Sequence, residues 1–453
     1  MIDTKALRSR ILDLAIQGKL TEQLPGESVD TADISLLSES PYSIPKNWKW
    51  TTIQNIISKD VGGGTPSKSV SEYWKNGDIP WMSVKDFSSA KNGVLDDTID
   101  HITQAGLDNS SSNLVDEEAI IICMRMALGK IVKINKPMAI NQDLRAIWLK
   151  SFIDNNYFVY FYSTLKVEGH GMTVAGISKA QLMSYPFPLP PLAEQKRIVE
   201  RVEEIFRLLD TIDKAQEKYS ADSQILKAKL ITAGIQGKLT KQLESDGTAH
   251  ELYQQIQAEK QKLIKEGKLK KEKPLPPISP DEIPFEIPQN WMWVHLGEIF
   301  QHNTGKALNS ANTDGQLLEY ITTSNVYWDR FELDSLKQMH FTESEIEKCT
   351  VTKGDLLICE GGDIGRSAIW NFDFEMRIQN HLHRLRGYIP DICQKYYYYL
   401  MWLYKDKGMI DGRGIGLQGF SSKRVHELIV PLPPLAEQKR IADVLERALG
   451  VFE

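Results

Sequence analysis

From Ile198 onward the apolar residues keep a fixed rhythm. Ile198, Val202, Ile205, Leu209, Ile212, Tyr219, Leu226 and Leu230 stand three, four or seven apart, with Gln216 and Ser223 at two intervening seam positions. That period predicts one long helix, over about 192–235, packed lengthwise on another helix. Pro191 near its first turn suits the start, and at 1.5 Å per residue it would run roughly 65 Å. Elsewhere the pattern shortens. Ala119–Cys123 and Leu356–Cys359 are continuous apolar runs bounded by glycine-rich turns, which predicts buried strands, and the aromatic-rich stretches 155–165 and 393–404 predict helices. The fold class expected is mixed α+β, with two α/β heads joined by long antiparallel coiled-coil helices.

The chain repeats itself. PLPPLAEQKRI stands at 188–198 and again, unchanged, at 431–441, 243 residues later. At the same offset YSIPKNWKW (42–50) answers FEIPQNWMW (285–293), so each copy spans 143 residues from its Ile-Pro to its Pro-Leu-Pro-Pro. Between these borders only islands agree. Ile122-Cys123 followed by Gly129-Lys130 answers Ile358-Cys359 followed by Gly365-Arg366, and INQDL (140–144) answers IQNHL (378–382). Like borders around unlike interiors suggest one scaffold reading two different things.

A third string, AIQGKLTEQL (15–24), returns as GIQGKLTKQL (234–243) at the shorter offset of 219. Leu7, Ile11, Ile16 and Leu20 thereby answer Leu226, Leu230, Ile235 and Leu239. The second copy of the long helix begins with Ile441, Leu445, Leu449 and Phe452, where the sequence stops at Glu453. Segments 435–453 and 1–24 together therefore supply most of a second central helix. The expectation is a cyclic, pseudo-twofold duplication. The extra 24 residues of spacing fall in 248–280, where EKQKLIKEGKLKKEK (259–273) carries seven lysines against three glutamates before a proline-rich stretch. It reads as an exposed, solvated helix followed by an extended linker, with phosphate or partner contact as the other use.

Composition narrows the class. With 42% hydrophobic and 25% charged residues the chain is globular rather than disordered, and its 453 residues exceed one ordinary core. Four scattered cysteines (Cys123, Cys349, Cys359, Cys393) suit a reducing cytoplasm and form no zinc or disulfide pattern. No apolar run is long enough to span a bilayer, and MIDTKALRSRILDLAIQGKL lacks a signal core. The net charge of −6 requires any nucleic-acid contact to come from a local basic face.

Catalytic patterns fail one by one. GGGTPSKS (62–69) has Ser67 where a phosphate loop needs glycine. Asp355 and Glu360 are followed by Gly361-Gly362 where a nuclease would place lysine. His381 and His383 find no further metal ligand. No catalytic or metal site is expected. DNA reading fits better: Gly63, Gly64, Thr65, Ser67 and Lys68 offer backbone N–H groups, hydroxyls and a cation to phosphates. Lys130 and Arg366 put a cation beside a glycine in both heads. Asn141, Gln142, Arg145, Asn380, His381 and Arg384 carry groups able to address base edges. Lys85, Lys306, His383, Arg413 and Lys423 complete the candidate DNA-binding set.

GGTPSK with SEYWKNGDIPW (71–81), ICEGGDIGRSAIW (358–370), NHLHRLRG (380–387) and the doubled PLPPLAEQKRI resemble the specificity subunits of type I restriction–modification enzymes over nearly the whole chain. The resemblance implies target-recognition domains at 41–190 and 285–433, each reading half of a bipartite site in double-stranded DNA. It implies a central helical spacer at 191–243, a charged insertion and linker at 244–284, a C-terminal helix at 434–453, and an N-terminal helix at 1–24 that completes it. The spacer would dock two modification subunits, through Leu192, Glu194, Gln195, Arg197, Leu435, Glu437, Gln438 and Arg440, with restriction subunits joining the complex. Catalysis, S-adenosylmethionine, ATP and Mg2+ would belong to those partners, and this cytoplasmic chain would hold no cofactor. A free-standing repressor or adaptor would instead bind its operator without partners. A self-contained methyltransferase–nuclease would bind S-adenosylmethionine alone.

Overall fold

In a computed structural model of the chain, every residue is described except 33, 92, 170–174, 309–312, 411–419 and 453. The chain divides into two compact units, Met1–Lys218 and Tyr219–Glu453.

In the first unit, Lys49–Thr52 pairs antiparallel with Pro186–Leu189, so the two repeated border motifs meet as a two-stranded clasp. Beyond the clasp are two sheets. One runs Ile57–Gly62, Leu144–Leu149, Ile120–Cys123, Ile131–Ile134, Val94–Leu95; the other runs Asp100–Ile102, Ile79–Met82, Met138–Ile140, Asn113–Val115. The second unit repeats the order: a clasp of Met292–His295 with Ile429–Leu432, then Phe300–Thr304, Leu382–Gly387, Leu356–Cys359, Ser367–Ile369, and a sheet of Lys337–Phe341, Gln316–Ile321, Met376–Ile378, Thr350–Val351. Even the parallel pair recurs, Ile79–Met82 with Met138–Ile140 and Gln316–Ile321 with Met376–Ile378. The heads share this central strand order although their sequences have diverged; among the described residues only the first adds Val94–Leu95 at a sheet edge, and only the second adds the pair Val326–Tyr327 with Arg330–Phe331.

The unbroken apolar strands follow from this layering. Successive side chains of a strand point to opposite faces. Ile120 and Ile122 enter one core while Ile121 and Cys123 enter another; Leu356 and Ile358 part from Leu357 and Cys359 in the same way. A strand walled on both faces has no polar position to spare. The aromatic helices close one of these cores. Asn155–Thr164, capped by the Asp154 carboxylate, buries Tyr157, Phe158, Phe161 and Tyr162, and Gln394–Asp406 buries Tyr396 through Met401 with Leu403 and Tyr404.

Each unit also holds a helix pair. Leu192–Ile235 is one continuous helix. In the first unit the helix Thr4–Ile16 runs antiparallel to it: Thr4 donates to Asp213 at 2.5 Å, and Arg8 reaches Asp210 at 2.7 Å and Asp213 at 3.0 Å. In the second unit Leu435–Leu449 packs on its later turns, burying Ile441 and Leu445 with Ile231 and Ile235. A Cβ on Gly234 would come within 3.0 Å of Leu445 and 3.2 Å of Ile441, so the axes approach closely. The seam is not packed along its full length. Leu7 is 42% exposed, and Tyr219 and Leu226 are 54% and 44% exposed, the last two because burial requires a facing apolar side chain and the facing helix of the second unit ends at Leu449.

The insertion departs from expectation too. Its helix, Ala249–Lys265, is closed by a Thr248–Glu251 capping box and buries Ala249, Leu252 and Ile256 in the second unit's core. Its first turns are thus an integral layer, whereas 259–273, the stretch expected to be exposed, buries none of its residues. Among the described residues no helix is long and apolar enough to cross a membrane.

The identical repeat strings converge on a buried carboxylate in each unit. Glu194 is fully buried and accepts from Trp48 Nε1 (2.9 Å), Asn47 Nδ2 (3.3 Å), Gln23 Nε2 (2.7 Å) and Thr21 Oγ1 (3.4 Å). Glu437 accepts from Trp291 Nε1 (2.8 Å), Gln242 Nε2 (2.5 Å) and Thr240 Oγ1 (3.1 Å). Burial raises the Glu437 carboxyl above the usual range, against the pull of the Trp291 and Thr240 donors. Next to each, Gln195 donates to the Pro190 and Phe152 carbonyls and accepts from Asp154 N–H, and Gln438 donates to the Pro433 carbonyl and accepts from Cys393 N–H. The glutamines thus grip the residues that start the aromatic helices.

Glu194→Ala should strand the Trp48 and Gln23 donors beside a cavity and destabilise the first unit by about 2–4 kcal/mol; Glu437→Ala should do the same to the second. Removing 1–24 should cost the first unit more, since Ala15 and Ile16 leave with Thr21 and Gln23. Hydrogen exchange resolved by segment checks this. Equal losses in both units from one substitution would contradict it.

Candidate nucleic-acid interface

The glycine loop is shaped by close crossing rather than by an anion. A Cβ on Gly63 would lie 2.1 Å from the Ile140 carbonyl oxygen, and one on Gly64 would lie 2.0 Å from Ser111 Oγ. In the second head Gly305 crosses Ile378 in the same way, at 1.9 Å. The N–H groups of Gly64 and Lys306 both donate, at 3.0 Å, to those same carbonyls, Ile140 and Ile378. A backbone N–H spent on the neighbouring strand is denied to phosphate, which corrects the expected role of Gly64. Past the crossing the loop turns outward, and Ser67 and Lys68 are exposed. Thr65 Oγ1 donates to Gln142 Oε1, orienting an exposed amide beside them.

The INQDL and IQNHL islands sort by depth. Asn141 is buried and tied to Asp143, whose N–H it accepts at 3.0 Å. Arg384 is only 2% exposed, donates to the Thr350 carbonyl at 2.5 Å, and has its pKa lowered by burial to about 10. Lys306 donates to Glu345 at 2.6 Å and to the His340 carbonyl at 2.7 Å, over the Phe341 ring. Asn141, Arg384 and Lys306 therefore serve the interior, contrary to the sequence expectation. Asn380 is half-buried and pairs through its backbone with Lys306, whereas Gln142 and His381 are exposed.

Beneath this face each head carries a polar pair at matching sheet positions. Asp60 lies opposite Ile147 and His302 opposite Leu385; Arg145 lies opposite Gly62 and His383 opposite Thr304. In the first head the pair is ionic: Arg145 contacts Asp60, which Lys179 also reaches at 2.8 Å. In the second it is a pair of imidazoles. His383 Nε2 donates to the Phe420 carbonyl at 2.7 Å, leaving Nδ1 to accept from His302 Nε2 at 2.9 Å. Burial lowers His302 to about 3 and His383 to about 4, so both are neutral at pH 7. Arg145 and His383 are consequently bound inside the fold rather than presented to bases.

The other candidates divide as well. Lys130 is exposed on a turn that Gly129 makes at a φ of 82°. Arg366 follows Gly365 at the same φ, but its guanidinium is held by the Thr323 carbonyl (2.6 Å) and the Tyr327 ring. Lys85 is half-exposed and paired with Asp100 at 2.7 Å. Lys423 is 80% exposed, and Arg413 lies outside the described residues. Arg125, which the sequence does not single out, is 60% exposed beside Asp143 on the same turn as Lys130, next to Met126 at a φ of 67°. Only the positive-φ turn, which sequence does not declare at a methionine, sets it apart from other surface cations.

Of the proposed docking residues, Glu194, Gln195, Glu437 and Gln438 are fully buried and occupied as described above. Arg197 and Arg440 are spent on Glu27 and Asp246, each through paired contacts of 2.5–2.8 Å. Leu192 and Leu435 are half-buried. The repeated motif therefore holds each unit together. No metal-binding cluster is present among the described residues.

Residues 45–219 and 288–450 match the type I restriction modification DNA specificity domain. The EcoAI type I restriction enzyme specificity subunit of Escherichia coli is 23% identical over 542 aligned residues, covering 98% of this chain and 89% of its own. The EcoR124I/EcoR124II specificity subunit, also of Escherichia coli, is 33% identical over 177 residues, 36% of this chain and 42% of its own. Among solved structures, a chain from work on complex assembly and conformational transition of the type I R-M system has a TM-score of 0.64 at 16% identity, covering 91% of this chain and 92% of its own. The HsdS subunit from Thermoanaerobacter tengcongensis has a TM-score of 0.53 at 16% identity, covering 92% and 93%. At these identities the structural likeness is one of fold.

The imidazole pair makes the second unit acid-sensitive. Unfolded histidine titrates near 6.5, so below that pH the unfolded chain takes protons that the folded pair refuses. Stability is complete above pH 6.5. It falls as the pH drops toward 4 for His383 and toward 3 for His302, by about 1.4 kcal/mol per pH unit for each histidine. Hydrogen exchange at pH 7 and 5, corrected for intrinsic rates, should show the second unit loosening. His302→Phe with His383→Leu should flatten the response, and an unchanged slope in that variant would refute the assignment.

Proposed function

This chain belongs to the type I restriction modification DNA specificity family and is built as a specificity subunit with two target-recognition domains; from that premise we propose that each domain reads one half of a bipartite, non-palindromic site in double-stranded DNA. The observation that carries this reading is the duplicated strand order bearing unlike exposed side chains. Two scaffolds of matching central strand order hold Gln142, Lys68, Arg125 and Lys130 at the surface of one head, and His381 and Lys423 at the surface of the other. Phosphate contacts by the cations set register, and the polar side chains between them address base edges.

The chain itself performs no catalysis. Two modification subunits supply adenine methylation with S-adenosylmethionine, and restriction subunits add ATP- and Mg2+-dependent cleavage, all in the cytoplasm. Because Glu194 and Glu437 of the repeat motif face inward and Arg197 and Arg440 are held by Glu27 and Asp246, docking falls to exposed apolar positions of the spacer helix. Tyr219, Ile225 and Leu226, at 54%, 54% and 44% exposed, are the apolar positions that the second unit leaves uncovered there.

Mapping methylated adenines in DNA from cells carrying the chain with its modification subunits should give one site with two unrelated halves. Gln142→Ala should relax one half only. Lys68→Ala and Lys130→Ala should weaken DNA binding by the assembled complex and make the salt dependence shallower by about 0.9 for each phosphate no longer neutralised. Methylation by the purified chain alone, or wild-type salt dependence in both lysine variants, would overturn the assignment.

A further inference from the structure

The insertion that separates the two repeats carries charge that its packing does not consume. The acidic residues within 259–273 are each committed: Glu259 pairs with Lys262 at 3.1 Å, Glu266 with Lys268 at 2.9 Å, and Glu272 with Lys260 at 3.1 Å and His426 at 3.6 Å. Lys265, Lys270, Lys271 and Lys273 are exposed and make no ion pair or side-chain hydrogen bond among the described residues. Four unpaired cations within nine residues form a concentrated basic surface on a chain whose net charge is −6.

This surface is held in place. Leu269 N–H donates to the Leu263 carbonyl at 3.2 Å, and the Glu272 contacts fix the middle of the segment. The His295 ring then spans the carbonyls of Pro276 and Glu427 at 2.9 Å each. Between Lys265 and Pro280 there is neither helix nor strand, and Pro274, Pro276 and Pro277 keep the later part extended. The strap lies on the recognition head, because His426 belongs to the helix Ser422–His426 that follows Phe420, the residue anchored by His383.

We propose that this lysine strap grips the phosphate backbone of DNA flanking the half-site read by the second head. The proposal rests on the reading of the chain as a DNA-specificity subunit. The chemistry favours a polyanion over a protein partner. From 249 to 282 no large hydrophobic side chain is exposed, whereas a protein interface needs an apolar centre to bury. Unpaired lysines on a pre-positioned strap suit phosphates, since counterion release drives that association and little ordering entropy is lost. The strap adds affinity without adding sequence preference.

The test uses the full chain assembled with its modification subunits and a DNA duplex carrying its site with long flanks. In one variant Lys265, Lys270, Lys271 and Lys273 become Gln; in a second the same four become Arg. Fluorescence anisotropy across a salt titration should give the Gln variant a slope of log affinity on log salt shallower by about 0.9 for each phosphate it fails to neutralise. The Arg variant should keep the wild-type slope, and both should methylate the same site. Trimming the flank on the second head's side should remove the difference between Gln variant and wild type. An unchanged slope in the Gln variant overturns the proposal. So does weaker binding of the modification subunits at an unchanged DNA slope, which would mark the strap as a protein-binding surface. If the wild-type complex shows no site-specific binding, the reading of the chain as a specificity subunit fails instead.

Discussion

A carboxylate inside a protein is tolerated only when donors occupy its oxygens. Glu194 satisfies that condition with donors from segments far apart in sequence. Thr21 and Gln23 follow the N-terminal helix, Asn47 and Trp48 precede the clasp, and the glutamate itself starts the spacer helix. Were any of these displaced, a buried charge would be left short of partners at a cost of several kcal/mol. The head, its clasp and its helix pair are therefore tied at one point. Glu437 repeats the tie with Thr240, Gln242 and Trp291.

That constraint explains why some strings repeat to the letter while the heads between them drift. The glycine of IQGKLT is needed twice over. Gly18 and Gly237 sit at φ values of 68° and 69°, where side chains are disfavoured, and a Cβ there would lie 2.4 Å from Pro45 and 2.5 Å from Pro288. The Ile-Pro motif, the tryptophan, the glycine and the glutamate thus fit only as a set. Inside the heads the demand is looser. A strand between two cores needs apolar residues of suitable volume, so Ile120–Cys123 and Leu356–Cys359 keep the apolar pattern while only their last two residues are identical.

Legibility in the sequence follows the same division. The duplication, the long helix, the aromatic helices and the central strands are readable because period and identity carry them. The seam at Leu7, Tyr219 and Leu226 is overstated by the pattern, because periodicity reports what a helix could pack and not whether a partner reaches it. The insertion helix is understated for a related reason: its three buried residues, Ala249, Leu252 and Ile256, form a narrow stripe among charges. The site is harder still. Polar residues that support a fold and polar residues that meet a ligand look alike in sequence, so Asn141, Arg384 and Lys306 resemble DNA-contacting groups while serving the interior. Glu194 and Gln195, polar in a helix, conceal full burial in the same way. Arg125 escapes notice because its turn depends on a methionine at positive φ.

The polar pairs beneath the two recognition faces show what the scaffold leaves free. Asp60 with Arg145 and His302 with His383 occupy the same sheet positions and perform the same service, linking two strands below the surface. One does so with opposite charges that draw in Lys179, the other with neutral rings that engage the Phe420 carbonyl. A lysine drawn to Asp60 and a backbone segment drawn to His383 make different surfaces above them. Divergence at the floor thus propagates upward through packing, without any change in strand order. Two heads that share a topology can therefore present unlike chemistry to the two halves of a site, and the clasp and buried carboxylate hold both to the same frame while they do so.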